Sequence, residues 1–258
     1  MSRIITVTSG KGGVGKSSLS VNLAIALAHQ NLKVCLIDGD FGLKNLDVMM
    51  GLENRVVYDL NDVISGKCEI HQVLVKDKRE PTLYLLPACK TLSFQNLDAK
   101  IMASLIDYLK NDFDFIIVDS PAGIERGFYN AIKNADEAIV VVTLDASSIR
   151  DADKVIGILN SNNIQDVKLV INRVNMKHIE EGISLTMSDA VDVLGIGVLG
   201  VVYYDEAVTE GNNKGVPVSH NSKSIASKCF DNMSRRLNGE SVDLLKYRKK
   251  SFLEKLFQ

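Results

Sequence analysis

The chain has 258 residues, 46% hydrophobic and 24% charged, with no long polar tract, so it can bury one substantial core. A net charge of −2 argues against a strongly cationic nucleic-acid binder and leaves room only for local basic patches. Cys35, Cys68, Cys89 and Cys229 stand far apart, with no CxxC pair and no adjoining histidine cluster. Neither a zinc site nor a disulfide framework is indicated, and reduced thiols in a cytoplasmic protein are expected, Cys35 as part of the core. The N-terminus lacks a charged region leading into an apolar signal segment, and no run of about 18 apolar residues is present to span a bilayer. The chain is therefore expected to be neither secreted nor transmembrane.

In chain order, an apolar run at 4–7 is followed by a glycine-rich loop and a helical pattern over 18–28, with Leu19, Leu23 and Leu27 in register. Apolar runs at 34–37 and 83–86 precede a second helical pattern at 99–109, carried by Ile101, Leu105 and Leu109. Runs at 115–118 and 138–142, a helix over 149–159, a run at 169–171, a helix over 188–194 and a run at 198–202 complete the series. Each run is continuously hydrophobic rather than alternating, as strands are when helices cover both sheet faces. The alternation predicts an α/β fold: one domain over residues 1–240 with a mostly parallel sheet of the P-loop NTPase type. A tail of different character, residues 241–258, follows. The four histidines, His29, His71, His178 and His220, are isolated in sequence and suit surface or helix-end positions.

The glycine-rich loop SGKGGVGKSS, residues 9–18, carries Gly10, Gly15, Lys16 and Ser17 in the spacing GxxxxGK[ST], between a strand and an amphipathic helix. Glycines let successive N–H groups turn inward round phosphates, and the helix beginning near Lys16 adds its positive dipole end. Lys16 is expected to neutralise β/γ-phosphates and Ser17 to ligate Mg²⁺. Spacing alone leaves Lys11 open between a solvated loop charge and a functional cation. GKGGVGKSS resembles the deviant Walker A loop of the ParA/MinD ATPase family, which also includes nitrogenase iron protein and arsenite-pump ATPases. The resemblance implies that Lys11 reaches across a nucleotide-sandwich dimer to the other subunit's phosphates. It also implies ATP and Mg²⁺ as cofactors, with nucleotide contacts from Gly10, Lys11, Gly12, Gly13, Val14, Gly15, Lys16, Ser17 and Ser18.

LIDGDFGLKNLD places Asp38 and Asp40 just past a strand, at the carboxyl edge where an open α/β sheet binds its ligand. With Asn45 and Asp47 they are similar to the family's switch I. By that resemblance Asp40 holds the attacking water and is catalytic beside Lys11 and Lys16, and Asp38 supports the metal and its water. FDFIIVDSPAG delivers Asp119 from four consecutive apolar residues, as a Walker B carboxylate that reaches Mg²⁺ through water. Pro121 and Gly123 would belong to switch II. Asn172, just past a strand, is a turn residue on sequence alone; the resemblance makes it a contact to the adenine edge. GVVYYDEAV resembles the segment that closes round the base, with Tyr203 where family members often carry proline.

Residues 43–66, IVDSPAGIERGF and the SSIRDADKVIG run at 147–157 resemble the MinD branch of this family, the similarity running from residue 3 to the C-terminus. That branch implies an ATP-dependent homodimer, a MinC-type division inhibitor, and a MinE-type activator or a DivIVA/MinJ-type topological factor. Arg150 and Asp151 match a partner surface by resemblance and are plain exposed helix charges otherwise. No nucleic-acid partner is expected. Residues 246–258 carry a net charge of +4 against −6 for the preceding chain. A helix there gathers Phe252, Leu253, Leu256 and Phe257 on one side and sets Lys249 and Lys250 largely away from it, which suits an anionic membrane interface. The expected location is cytoplasmic, peripheral on the inner face of the cell membrane. An FlhG-like regulator of flagellar number and a ParA-like DNA-partition ATPase remain alternatives at this point.

Overall fold

The computed structural model describes residues 2–40, 45–89 and 99–247, without the side chains of residues 99, 100 and 126. Eight strands form one sheet: β1 (Arg3–Thr8), β2 (Val34–Asp38), β3 (Val75–Lys76), β4 (Leu83–Leu86), β5 (Phe115–Asp119), β6 (Glu137–Val142), β7 (Asp166–Val174) and β8 (Gly197–Tyr203). Their spatial order is β3-β4-β2-β5-β1-β6-β7-β8. Every pairing is parallel except that of the short edge strand β3 with β4. All seven strands expected from the sequence are present. β3, with two residues, is too short to leave a hydrophobic signature.

Alternate residues of the central strands serve opposite faces. Ile5 and Val7 of β1, Val34 and Leu36 of β2, and Phe115 and Ile117 of β5 enter the larger core. Their neighbours Ile4, Cys35, Ile37, Ile116 and Val118 enter a second cluster under α5 (Ala99–Leu109). Burial on both faces is the reason these strands read as unbroken apolar runs. Helix α1 (Lys16–Ala28) is buried on nearly every side, between the sheet, a 3-10 turn at Val218–His220 and the C-terminal helix Ile225–Leu237. It therefore carries buried polar groups with assigned partners. Asn22 accepts from the Ser219 N–H at 2.9 Å and donates to Ser18 O at 2.8 Å.

The remaining helices are α2 (Leu46–Met50), α3 (Leu60–Ile64), α4 (Ile70–Val73), α6 (Arg126–Ile132), α7 (Ala146–Ser161), α8 (Met176–Glu180), α9 (Met187–Leu194), α10 (Glu206–Lys214) and α11 (Ile225–Leu237). Several are one or two turns long, fixed by caps rather than by an apolar stripe. Asp59 and Asp62 form a capping box on α3, and Thr186 and Asp189 form one on α9. Beyond α11 the chain folds back along β8: the Tyr203 hydroxyl donates to Leu245 O at 2.8 Å, and the Tyr203 and Tyr247 rings lie 5.2 Å apart.

Candidate nucleotide-binding site

Strands β1, β2 and β5 end at the same sheet edge, with Asp119 opposite both Val7 and Asp38. The loop that follows β1 turns into α1 through Gly15, whose φ of 91° lies in the left-handed region that favours glycine. Gly10 is required for a different reason. A Cβ there would lie 2.4 Å from the backbone carbonyl of Asp151 on α7, so loop and helix touch backbone to backbone.

Lys16 is buried, with Nζ 3.1 Å from Asp119 Oδ1. The Ser17 hydroxyl donates to Asp119 Oδ2 at 2.6 Å, and the Ser20 hydroxyl donates to Oδ1 at 2.8 Å. The Walker-type lysine, serine and aspartate expected from the sequence thus form one cluster. Ser20 joins it from the next turn of the helix, and no sequence signal marked it. Asp38 is 2% exposed and accepts from the N–H groups of Asp40 at 3.1 Å and Leu46 at 3.4 Å. Burial, and then the neighbouring Asp119 charge, push its carboxyl up to about 7, against the pull of those amides. Asp40 is raised as well, by burial first, with Lys16 opposing. Asn45 precedes α2 without a side-chain cap bond. Gly123, at a φ of 85°, donates its N–H to Ser9 O at 3.3 Å, so the segment after β5, with Pro121, is tied to the start of the phosphate loop.

Lys11 belongs to a different neighbourhood. Its ammonium donates to Asp145 Oδ1 at 3.0 Å and to the Ser147 hydroxyl at 2.8 Å, at the exposed N-terminus of α7. Asp145 also caps that helix by accepting from the Ser148 N–H at 3.0 Å. Its partial burial works against its charge, but the Ser147 and Thr143 hydroxyls, the Ser148 amide and Lys11 outweigh it and hold the carboxyl well below the usual range. Asp145 was not singled out in the sequence, although an Asp before a helical run is a recognisable cap signal.

From β7, Asn172 Nδ2 donates to Val14 O at 2.8 Å and Arg173 Nη1 donates to Gly13 O at 2.9 Å, clamping the phosphate loop from the far side. Asn172, Arg173, Tyr204, Asp205, Thr209 and Asn212 line a cleft beside Gly15 and Ser18. Tyr203 is buried behind this cleft, and Tyr204 is exposed at it. Arg150 is exposed on α7, and Asp151 pairs with Lys154 at 3.4 Å while its backbone meets Gly10. Lys249, Lys250, Phe252, Leu253, Leu256 and Phe257 lie outside the described residues. One expectation is corrected: His29 and His220 are not isolated, since both approach Glu80, because the end of α1 packs against the 3-10 turn that carries His220.

A phosphate loop between β1 and α1, with a buried lysine and aspartate and a half-buried serine at the carboxyl edge of a parallel sheet, defines a P-loop ATPase site. A family model described as an AAA domain matches residues 2–180. The septum site-determining protein MinD of Bacillus subtilis (strain 168) is 46% identical over 246 residues, covering 95% of this chain and 92% of the relative. Among solved structures, the Aquifex aeolicus MinC:MinD cell division complex is similar at 42% identity with a TM-score of 0.89, covering 96% of this chain and all of that one. Pyrococcus horikoshii MinD complexed with Mg-ADP is similar at 27% identity and a TM-score of 0.82, covering 92% and 96%. This chain belongs to the MinD family of septum site-determining ATPases.

Proposed function

We propose that the protein is an Mg²⁺-dependent ATP hydrolase that pairs on binding ATP, attaches to the inner face of the cell membrane and recruits a division inhibitor to control septum placement. The observation that carries this reading is the separation of two lysines that stand five positions apart in one loop: Lys16 is buried against Asp119, whereas Lys11 is exposed and contacts the N-terminus of α7. A cation on the outside of its own site is available to a facing protomer's phosphates. There it would stabilise charge on the transferring phosphoryl group and make hydrolysis depend on pairing.

The donor set suits Mg²⁺. Ser17 Oγ and Asp119 Oδ2 converge at 2.6 Å beside the Asp38 carboxylate, and all three are hard oxygen donors. Held by these oxygens, Mg²⁺ would supply positive charge to the phosphates of the bound nucleotide. Lys16 adds to it, Asp40 orients the attacking water, and the Ser9–Gly123 hydrogen bond couples switch II to the phosphate loop. Asn172 and its cleft are the place for the adenine.

The tail supplies the membrane grip. Each basic residue near an anionic surface contributes roughly 1 kcal/mol, and each buried Leu or Phe about 2 kcal/mol, offset by the cost of folding the segment. One such tail holds weakly; two, joined by pairing, hold strongly through effective concentration. Arg150 and Asp151, beside the phosphate loop, form a surface for a MinC-type inhibitor and a MinE-type activator, with a DivIVA/MinJ-type factor as the other topological partner. The similarity to a MinC:MinD complex supports the first of these. The test is sedimentation of the full chain with anionic vesicles, with ATP or ADP, beside a chain ending before Lys246. ATP-dependent pelleting of the full chain alone is expected. Equal pelleting with both nucleotides, or pelleting with DNA in its place, would overturn the reading.

A further inference from the structure

His29 forms the C-cap of α1, His220 ends the 3-10 turn before α11, and Glu80 stands in the turn between β3 and β4. Glu80 Oε1 lies 3.0 Å from His29 Nε2 and 3.4 Å from His220 Nδ1, and the three donor atoms all lie within 4.8 Å of one another. A tetrahedral zinc with bonds of about 2.0–2.2 Å to nitrogen and oxygen sets its ligands about 3.3–3.5 Å apart, so two of the three edges already have nearly the required length. α1 begins at Lys16 and runs 13 residues, which puts this cluster roughly 20 Å from the phosphate loop, at the other end of the sheet.

We infer that His29, Glu80 and His220 form a zinc site, distinct from the nucleotide site, with one coordination position left to solvent. Two imidazoles and a carboxylate are a donor set that favours a borderline transition metal over Mg²⁺ or Ca²⁺. A cleft of about 380 Å³ lies beside both histidines, lined also by Ser222, Lys228 and Asp231.

His220 turns Nδ1 toward Glu80 and keeps Nε2 buried without a hydrogen-bond partner among the described residues, so Nδ1 is the atom this ring offers to a metal. Arg79 and Lys228 oppose a cation here. However, Arg79 is directed to Met50 O at 3.4 Å and Gly215 O at 3.2 Å, and Asp77 and Asp231 supply compensating charge. A metal here would tie together three chain segments that otherwise meet only through side chains, and would hold the folded form without touching the nucleotide.

The experiment is calorimetric titration of the metal-free full chain with zinc chloride, with cobalt(II) absorption as a coordination probe. Glu80→Gln, His29→Ala and Asp119→Asn are run in parallel, and far-ultraviolet circular dichroism checks folding. One zinc per chain is expected, with affinity at least tenfold weaker in Glu80→Gln and in His29→Ala and unchanged in Asp119→Asn. His29 is exposed, so its variant tests the site even if the Glu80 variant is unstable. Absence of zinc binding, zinc retained in full by both cluster variants, or zinc lost with Asp119→Asn would each overturn the inference.

Discussion

Asp38 and Asp119 stand side by side at the ends of adjacent parallel strands, paired in register between β2 and β5, and both are buried. Asp119 is matched by Lys16, Ser17 and Ser20, whereas among the described residues Asp38 has backbone amides and no cation as partners. The cost of putting two carboxylates together therefore falls on Asp38.

That asymmetry has a pH signature. The Asp38 carboxyl is held at about 7 in the folded chain, above its value when unfolded, so between pH 4 and 7 the folded form binds the extra proton. Stability of the nucleotide-free chain in EDTA is then greatest below this window and falls across it as pH rises, by up to about 4 kcal/mol. Urea denaturation at pH 5 and pH 8 should show about two-thirds of this loss, and Asp38→Asn should abolish most of it. An Asp38→Asn protein with the same pH slope as the parent would contradict the assignment.

Lys11 and Asp145 separate stability from assembly. Their ion pair is about four-tenths exposed on both sides, and such pairs contribute about 0–1 kcal/mol. Lys11→Ala is expected to leave the urea midpoint nearly unchanged while abolishing ATP-dependent pairing and ATPase activity. Asp145→Ala also loses the α7 cap, a cost of about 1 kcal/mol. Denaturation curves beside ultracentrifugation with ATP measure both; normal pairing of Lys11→Ala would reduce that lysine to a surface charge.

Two glycines of the phosphate loop should fail differently. A methyl group at Gly10 meets the Asp151 backbone at 2.4 Å, so loop or helix must move, and a loss of about 1–3 kcal/mol together with weakened nucleotide binding is expected. At Gly13 nothing lies within 4 Å, but a φ of 79° strains any L side chain, so Gly13→Ala costs about 1 kcal/mol. Fluorescent-nucleotide titration and thermal unfolding of both variants would reveal equal effects if loop packing against α7 were unimportant.

Asp205 holds the base-side cleft to the C-terminal helix. It caps α10 through the Ala207 N–H at 3.0 Å and accepts the Ser224 hydroxyl at 2.6 Å. These bonds, with the Ala226 and Ile225 amides, outweigh partial burial and lower its carboxyl. A depressed carboxylate contributes stability above the unfolded value near pH 4, and this is lost as pH falls through the folded value. Asp205→Ala should therefore destabilise by about 1–2 kcal/mol at pH 7 and by clearly less near pH 3. A penalty independent of pH would assign its role to shape rather than charge.

The phosphate loop, both aspartate-bearing strand ends and seven of the strands were legible in the sequence because each rests on a local rule. Continuous apolar runs mark strands covered on both faces, and GKGGVGKSS confines its own backbone. The short elements were not legible. β3 and the one-turn helices are held by caps and by neighbours distant in sequence. α11 hides a buried stripe of Ala226, Cys229, Phe230, Met233 and Leu237 among serines and arginines, because its outer face is polar.

Residue types and spacing along the chain determined that a glycine-rich phosphate-type loop brings Lys16 and Ser17 to Asp119, since those groups come from segments whose form is set locally. Only the tertiary structure decided which lysine faces inward, that Asp119 rather than Asp38 takes that lysine, and that two histidines 191 positions apart share one glutamate. These outcomes depend on burial and on distances between segments remote in sequence. Such quantities come into being when the sheet brings β2 beside β5 and α1 packs against the turn before α11.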